Sequence, residues 1–263
     1  IKKHRFSLLC IFFAVLLLCG CTKPSANKKN DTKIKLDDHI YWIETTEEST
    51  IEDILQSSVE FNKLNSFGPK NLNKIVSKNC DYIWLKIPFV IPYSLQEQNL
   101  GLVIPRLSFA DKAWLNGHFI GDFGSFPPNI FPSKNQCQFF LLPEQVLIKN
   151  APNTIYVKVY NGGSGEISNG IFISSKDSAF YYADNKQFLN SRLYMSFIGG
   201  LFCSFLVFFL LYIFGRHYKE YKYFSLMTLF TIPFLTITYV NEIPFLTYLN
   251  ISYCTFLKFF SFI

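Results

Sequence analysis

The chain has 263 residues, of which 49% are hydrophobic, 18% are aromatic and 17% are charged. Soluble domains average about 25% charged residues, so this composition excludes a disordered chain and disfavours a wholly soluble one. The net charge of +6 comes from the two ends: residues 1–21 hold three basic residues and no acid, residues 191–263 hold five basic and two acidic residues, and 22–190 is balanced. Because the middle of the chain carries no net charge, nucleic acid is not expected as a partner.

The N-terminus has the three regions of a secretion signal. Three basic residues precede the apolar run 6–18, which is shorter than the roughly 20 residues of a membrane span. The next residues, Leu18-Cys19-Gly20-Cys21, resemble the lipobox of bacterial lipoproteins, which implies lipid attachment at Cys21. A plain signal peptide and an uncleaved anchor are the alternatives. Residues 22–36, rich in Lys, Asn, Ser and Thr, are predicted to be a flexible tether.

Residues 37–185 are predicted to form an exported all-β domain of the jelly-roll or β-sandwich type. Residues 50–65 have apolar residues at helical spacing and predict a short amphipathic helix. From residue 80 onward, short β-type runs alternate with Pro, Gly and Asn. The Asn116-Gly117 pair between two such runs predicts a β-hairpin. The predicted strands are 82–90, 100–104, 112–115, 119–120, 138–142, 154–160 and 170–174.

The C-terminal part is predicted to be α-helical and to cross a membrane. Residues 193–215 are 23 uncharged, mostly apolar residues, and 223–241 and 244–263 are predicted to form a second helix and the start of a third. Small residues at 196, 199, 200, 203 and 204 allow close helix packing. A homodimer of the chain is one candidate assembly. Arg216, Lys219 and Lys222 should hold the first loop in the cytoplasm, which places residues 22–192 outside a bacterial cytoplasmic membrane.

The order of three segments resembles the galactose-binding-like jelly roll. These segments are Tyr82-Ile83-Trp84-Leu85-Lys86, the hairpin 113–121 and the late strand Asn153-Thr154-Ile155-Tyr156-Val157-Lys158-Val159. Such a domain followed by membrane helices resembles bacterial seven-transmembrane receptors with diverse intracellular signalling modules. The resemblance implies an external domain that binds a small, carbohydrate-like ligand, and a cytoplasmic output domain. This chain has at most three helices and begins with Ile1, so it is expected to be a partial member.

The candidate ligand-binding residues lie in two loops of the predicted sandwich. Trp114 alternates with Ala113 and Leu115, so it should point away from the core and offer a stacking face, or else cover the neighbouring sheet edge. The hairpin adds Asn116 and His118, and the Gly-rich loop adds Glu166 and Asn169. These four side chains would supply directional hydrogen bonds to ligand hydroxyls. Trp42 and Trp84 are further aromatic candidates.

Metal, cofactor and catalytic sites are not expected. The four histidines, His4, His39, His118 and His217, have no ligand spacing, and no catalytic constellation is present. Cys80 and Cys137 are the two cysteines of the exported domain. An oxidising compartment permits a disulfide between them, and two buried thiols are the alternative.

Two classes of function remain open. The first is a membrane-bound sensor that binds a small ligand outside the cell and passes a signal inward. The second is an accessory or structural envelope lipoprotein whose sandwich binds another protein. Glycoside hydrolysis is excluded because it needs two placed carboxylates within a larger catalytic domain.

Overall fold

The computed structural model describes residues 32–57, 59–64, 70–71, 80–107, 109–128, 133, 136–161, 166–215 and 218–239. All of these belong to one compact unit, Asp31–Ile263. The proposed signal peptide with Cys21, most of the tether and the third predicted membrane helix lie outside the described residues.

Residues 34–175 form a β-sandwich of two antiparallel sheets. One sheet has the order β1-β12-β6-β9, and the other has the order β3-β2-β5-β10-β7-β8. A short pair, β4 with β11, lies beside them. The strands are β1 (Ile34–Lys35), β2 (Tyr41–Thr45), β3 (Asn62–Lys63), β4 (Lys70–Asn71), β5 (Tyr82–Val90), β6 (Leu100–Ile104), β7 (Ala110–Leu115), β8 (His118–Phe123), β9 (Gln138–Leu142), β10 (Pro152–Tyr160), β11 (Glu166–Ile167) and β12 (Phe172–Ser175).

Alternation along the long strands determines which side chains enter the core. The odd-numbered residues of β5 and β10, such as Ile83, Leu85, Ile155 and Val157, are fully buried between the sheets. The even-numbered residues therefore lie on the outer face of the six-stranded sheet. This face is where the sequence placed Trp114.

A short helix covers part of that outer face. Helix α1 (Ile51–Gln56) begins with a capping box: the N–H of Asp53 donates to the Thr50 hydroxyl oxygen, and the N–H of Thr50 donates to the Asp53 carboxylate. Ile51 of this helix packs with Trp84 and Tyr156 in a second apolar cluster. The predicted helix over 50–65 is thus six residues long, because the chain turns into β3 instead.

The sandwich also begins earlier than the sequence indicated. Ile34 and Lys35 form β1, which pairs with Ile173 and Phe172 of β12. These two residues fall inside the segment assigned to the tether, because a two-residue strand leaves almost no periodic signal.

The last strand continues directly into a helix. Helix α2 (Lys176–Gln187) follows β12 without a linker and packs on the four-stranded sheet through Ala179 and Ala183. A π-helical segment, Phe188–Arg192, joins it to α3 (Leu193–Phe214). The full helical run, Lys176–Phe214, is the one stretch in the described residues that is long and apolar enough to cross a membrane, and its most apolar window has no buried residue.

A further helix, α4 (Lys219–Tyr239), packs against α3. The rings of Phe208 and Phe224 are 4.3 Å apart, and Thr228 is buried. Helix α4 covers the second predicted segment as far as Tyr239, whereas among the described residues the hydropathy of a candidate membrane span is reached in the run Lys176–Phe214.

Candidate ligand-binding surface

An aromatic surface lies on the outer face of the six-stranded sheet. It consists of six aromatic side chains in ring contact, which we call the aromatic face: Tyr82, Trp84, Trp114, Phe119, Phe126 and Tyr160. Trp114 stacks between Trp84, at 5.1 Å between ring centroids, and Phe119, at 5.7 Å. Trp84 is fully buried beneath α1, Trp114 is half-buried and Phe119 is 55% exposed. The face therefore opens to solvent at its Trp114–Phe119 rim.

Two lysines on neighbouring strands lie within the aromatic face. Lys158 of β10 is directly opposite Lys112 of β7. The Lys158 ammonium is buried and donates to the carbonyl oxygens of Glu47 and Ser49, each at 2.6 Å. Burial lowers the pKa of Lys158, and the neighbouring charge of Lys112 lowers it further. Since its ammonium already binds two carbonyls, Lys158 fastens the segment before α1 onto the sheet.

Lys112 is the cation of this face that remains open to solvent. It is half-buried, and its ammonium lies 5.2 Å from the centre of the Phe126 ring. Lys112 and Trp114 are two residues apart on one strand, so both point outward about 7 Å from each other. This arrangement can stack the apolar face of a ring and attract an anionic group on that same ring.

Asn116 has a structural role in the hairpin. It has a φ of 49°, and Gly117 a φ of 89°, as a two-residue turn requires. The Asn116 amide nitrogen donates to Val146 O and to Asn153 Oδ1, each at 2.9 Å, while its side-chain oxygen accepts from the N–H of Thr154 at 2.8 Å. These three bonds tie the turn to the start of β10. The side chain has little remaining capacity for a ligand.

The predicted site residues do not form a single site. Leu115 pairs with Ile155 at one end of the sheet, and Ala110 pairs with Tyr160 at the other end. The hairpin residues Asn116 and His118 lie at the first end, while the segment holding Glu166 and Asn169 follows β10 at the second. Because β7 alone spans about 17 Å between these ends, one small ligand cannot contact both groups.

Each of the remaining candidates has its own environment. His118 is exposed next to Phe119, so it stays at the rim of the aromatic face. Glu166 forms an ion pair with Arg106 at 3.3 Å, which links the segment after β10 to the loop after β6. Asn169 is exposed. Lys112 and Phe119 were missed, although their positions on the hairpin, two residues before Trp114 and two after Gly117, placed them near the predicted stacking residue.

A buried polar pair lies between the sheets. Asp111 of β7 and Gln138 of β9 are 1% and 0% exposed, and the Gln138 amide nitrogen donates to Asp111 Oδ1. Asp111 Oδ2 and Gln138 Oε1 have no hydrogen-bond partner among the described residues. Burial raises the pKa of Asp111 to about 8, which favours the neutral carboxyl at neutral pH.

Cys80 and Cys137 lie in different parts of the sandwich. Cys80 packs against the core between the sheets, and its thiol donates to Tyr82 O at 2.9 Å. Cys137 is buried in the cluster beneath α2, where burial raises the pKa of its thiol to about 12. Both thiols are free in this structure, which corresponds to the alternative of two thiols.

The part of the chain that the structure describes contains no group of three or more His, Cys, Asp or Glu side chains placed to hold a metal ion. Within it, the aromatic face is the arrangement best suited to a small ligand.

Comparisons with known proteins return β-sandwich domains of glucuronidases. No protein-family model matches the chain, and no curated protein matches it. Among solved structures, a Bacteroides uniformis β-glucuronidase is 14% identical with a TM-score of 0.44, over 55% of this chain and 18% of that one. Ruminococcus gnavus β-glucuronidase in complex with D-glucuronic acid is 11% identical with a TM-score of 0.42, over 59% and 31%. This chain thus spans less than a third of the length of these enzymes, and identities and TM-scores this low carry no argument about function.

Proposed function

We propose that this chain is a membrane-bound sensor whose external β-sandwich binds a small, carbohydrate-like ligand and transmits binding through a helix that enters the membrane. The observation that carries the proposal is the unbroken passage from β12 through α2 into α3. Because no linker separates Ser175 from Lys176, a movement of the four-stranded sheet displaces the helix directly. A lipid at Cys21 would add a second attachment to the same membrane.

The junction between sandwich and helix supports transmission. The π-helical segment Phe188–Arg192 interrupts the α-helical hydrogen bonding between α2 and α3. Arg192 donates to Asp184 at 2.9 Å across this segment. π-Helical turns often occur at functional sites, because they shift the register of the side chains that follow.

The ligand site of the proposal is the solvent-exposed rim of the aromatic face, formed by Lys112, Trp114 and Phe119. Trp114 and Phe119 supply ring faces for the apolar side of a sugar, and Lys112 supplies a cation. A sugar acid fits this combination, since it joins an apolar ring face to a carboxylate. The proposal assigns no catalytic step to the described residues.

A thermal-shift measurement with D-glucuronic acid as the probe tests the ligand site on the full chain in detergent. Trp42, Trp84 and Trp114 are the chain's three tryptophans, and all lie in the sandwich, so their fluorescence follows its unfolding. A ligand at one hundred times its dissociation constant stabilises the fold by about 2.7 kcal/mol. We expect the probe to raise the Tm of the wild type and not that of Lys112→Ala/Phe119→Ala.

The matched control is Lys176→Ala/Tyr93→Ala, which removes one lysine charge and one exposed aromatic ring outside the six-stranded sheet. It should respond to the probe like the wild type. An equal response from all three proteins would show that the rim is not the site.

Hydrogen exchange separates the sensor from an accessory lipoprotein. In a sensor, the probe should change amide protection in α3, and Asn190→Pro in the π-helical segment should abolish that change, whereas Asn190→Ala should keep it. Binding at the sandwich with no change in α3 in the wild type would favour the accessory role.

A further inference from the structure

A pocket lies between the residue before β1 and helix α2, away from the aromatic face. Its volume is about 280 Å³, just below the range of about 300–1,000 Å³ that is typical of ligand sites. Residues from one face of α2 line it, joined by Lys33, which immediately precedes β1. The lining includes Lys33, Ser178, Tyr182, Asn185 and Lys186, and Leu189 of the π-helical segment.

The pocket brings together two cations from different elements. The Lys33 ammonium lies 5.4 Å from the centre of the Tyr182 ring and 4.6 Å from that of Phe172. The Lys186 ammonium lies 6.0 Å from the same Tyr182 ring. The residues that line the pocket include two lysines and no acid; of the two acids of α2, Asp184 is paired with Arg192, and Asp177 lies outside the lining. The pocket is therefore electropositive.

The other lining groups complement an anion that carries a small organic part. The hydroxyl of Ser178 and the amide of Asn185 can donate hydrogen bonds. Burial raises the pKa of Tyr182, so its hydroxyl stays protonated and can donate as well. Leu189 gives the end of the pocket nearer the apolar helix an apolar wall.

We propose that this pocket binds a phosphate ester of about the size of glycerol phosphate. Lysine binds phosphate as a point charge, and a tetrahedral group can accept from donors on two sides at once. The ester would bridge Lys33 and Lys186, and so join the strand that follows the N-terminal segment to the helix that leads into α3. Soluble glycerol phosphate and the headgroup of phosphatidylglycerol share this chemistry.

The experiment compares both sources on the full chain in nanodiscs, with Tm followed by tryptophan fluorescence. One arm titrates glycerol 3-phosphate into phosphatidylcholine nanodiscs, with glycerol and sodium chloride of equal ionic strength as controls. The other arm replaces about 20% of the phosphatidylcholine with phosphatidylglycerol, which supplies the headgroup in excess over the protein. In either arm, we expect a rise in Tm for the wild type.

The variant Lys33→Ala/Lys186→Ala should bind about tenfold more weakly, from the loss of two exposed charge contacts. The control Lys35→Ala/Lys176→Ala removes one lysine from the same strand region and one from the same helix without touching the pocket, and should bind like the wild type. Stabilisation in the first arm alone identifies a soluble ester, and in the second arm alone a lipid headgroup. Failure of both arms to stabilise the wild type above Lys33→Ala/Lys186→Ala overturns the proposal, and leaves the D-glucuronic acid test at the aromatic face unaffected.

Discussion

Asp111 shows how one buried carboxyl makes the stability of the sandwich depend on pH. In the unfolded chain its pKa is 3.8, and burial raises it to about 8 in the folded protein. Between these values the folded state holds a proton that the unfolded state has lost, so the free energy of unfolding falls as pH rises. The contribution is complete below about pH 4 and is lost as pH passes about 8.

We therefore expect Asp111→Asn to have little effect on stability at about pH 4 and to stabilise the protein relative to the wild type at about pH 9. The amide is neutral at both values and keeps the shape of the carboxyl. Urea unfolding of the full chain in detergent, followed by tryptophan fluorescence, measures the free energy of unfolding of both proteins at each pH. Glu144→Gln, at an exposed turn, is the control and should show no such difference. Parallel pH profiles for Asp111→Asn and the wild type would contradict the assignment.

Because Asn116 makes structural hydrogen bonds, we expect Asn116→Ala to lower the stability of the protein and not its affinity for the ligand. In Asn116→Ala, three side-chain bonds disappear and alanine must adopt a positive φ, at a combined cost of about 3 kcal/mol in the free energy of unfolding. His118→Ala on the same hairpin is exposed and should change stability by less than about 0.5 kcal/mol. Urea unfolding compares the two variants. An Asn116→Ala protein with normal stability and weakened binding of D-glucuronic acid would return Asn116 to the ligand site.

At the scale of elements, the sequence was informative where the periodic pattern was long. The β-type runs 82–90 and 154–160 predicted β5 and β10, which are nine residues long, and the alternation of Trp114 with Ala113 and Leu115 predicted its outward direction in β7. The Asn116-Gly117 pair located the hairpin for a local reason, since it requires two positive φ values. The two-residue strands β1, β3 and β4 are too short for any period to be visible.

The grouping of the site residues was the part that sequence could not provide. Glu166 and Asn169 seemed compatible with the hairpin residues because both segments are loops at the ends of strands. Which end each loop occupies depends on the antiparallel pairing of β10 with β7, a contact between residues about 40 positions apart in the chain. Lys158 was hidden for a similar reason, since its partners are carbonyl oxygens of residues 47 and 49.

At the scale of the whole molecule, the distribution of charge and the length of the helices predict one membrane topology. The helical run Lys176–Phe214 leaves the sandwich and exposes its apolar residues along α3, as a helix surrounded by lipid would. Contact of Phe208 with Phe224 makes α3 and α4 a helical hairpin, so the loop between them lies at the end of α3 away from the sandwich. That loop and the first turn of α4 contain Arg216, Lys219 and Lys222.

Reporter fusions to the full chain test this arrangement. We expect a phosphatase reporter placed after Lys222 to be inactive and a fluorescent reporter there to be active, because the positive-inside rule predicts that a loop with three basic residues stays in the cytoplasm. Fusions after Glu242 should give the opposite pattern, since the turn at 241–244 has no basic residue. Replacing Lys219 and Lys222 with glutamine should reduce the difference in reporter activity between the two fusion sites, whereas the same change at Lys33 and Lys35, beside and within β1, should leave that difference unchanged. An active phosphatase after Lys222 in the unmodified chain would place the sandwich on the cytoplasmic side, and an external ligand would then be excluded.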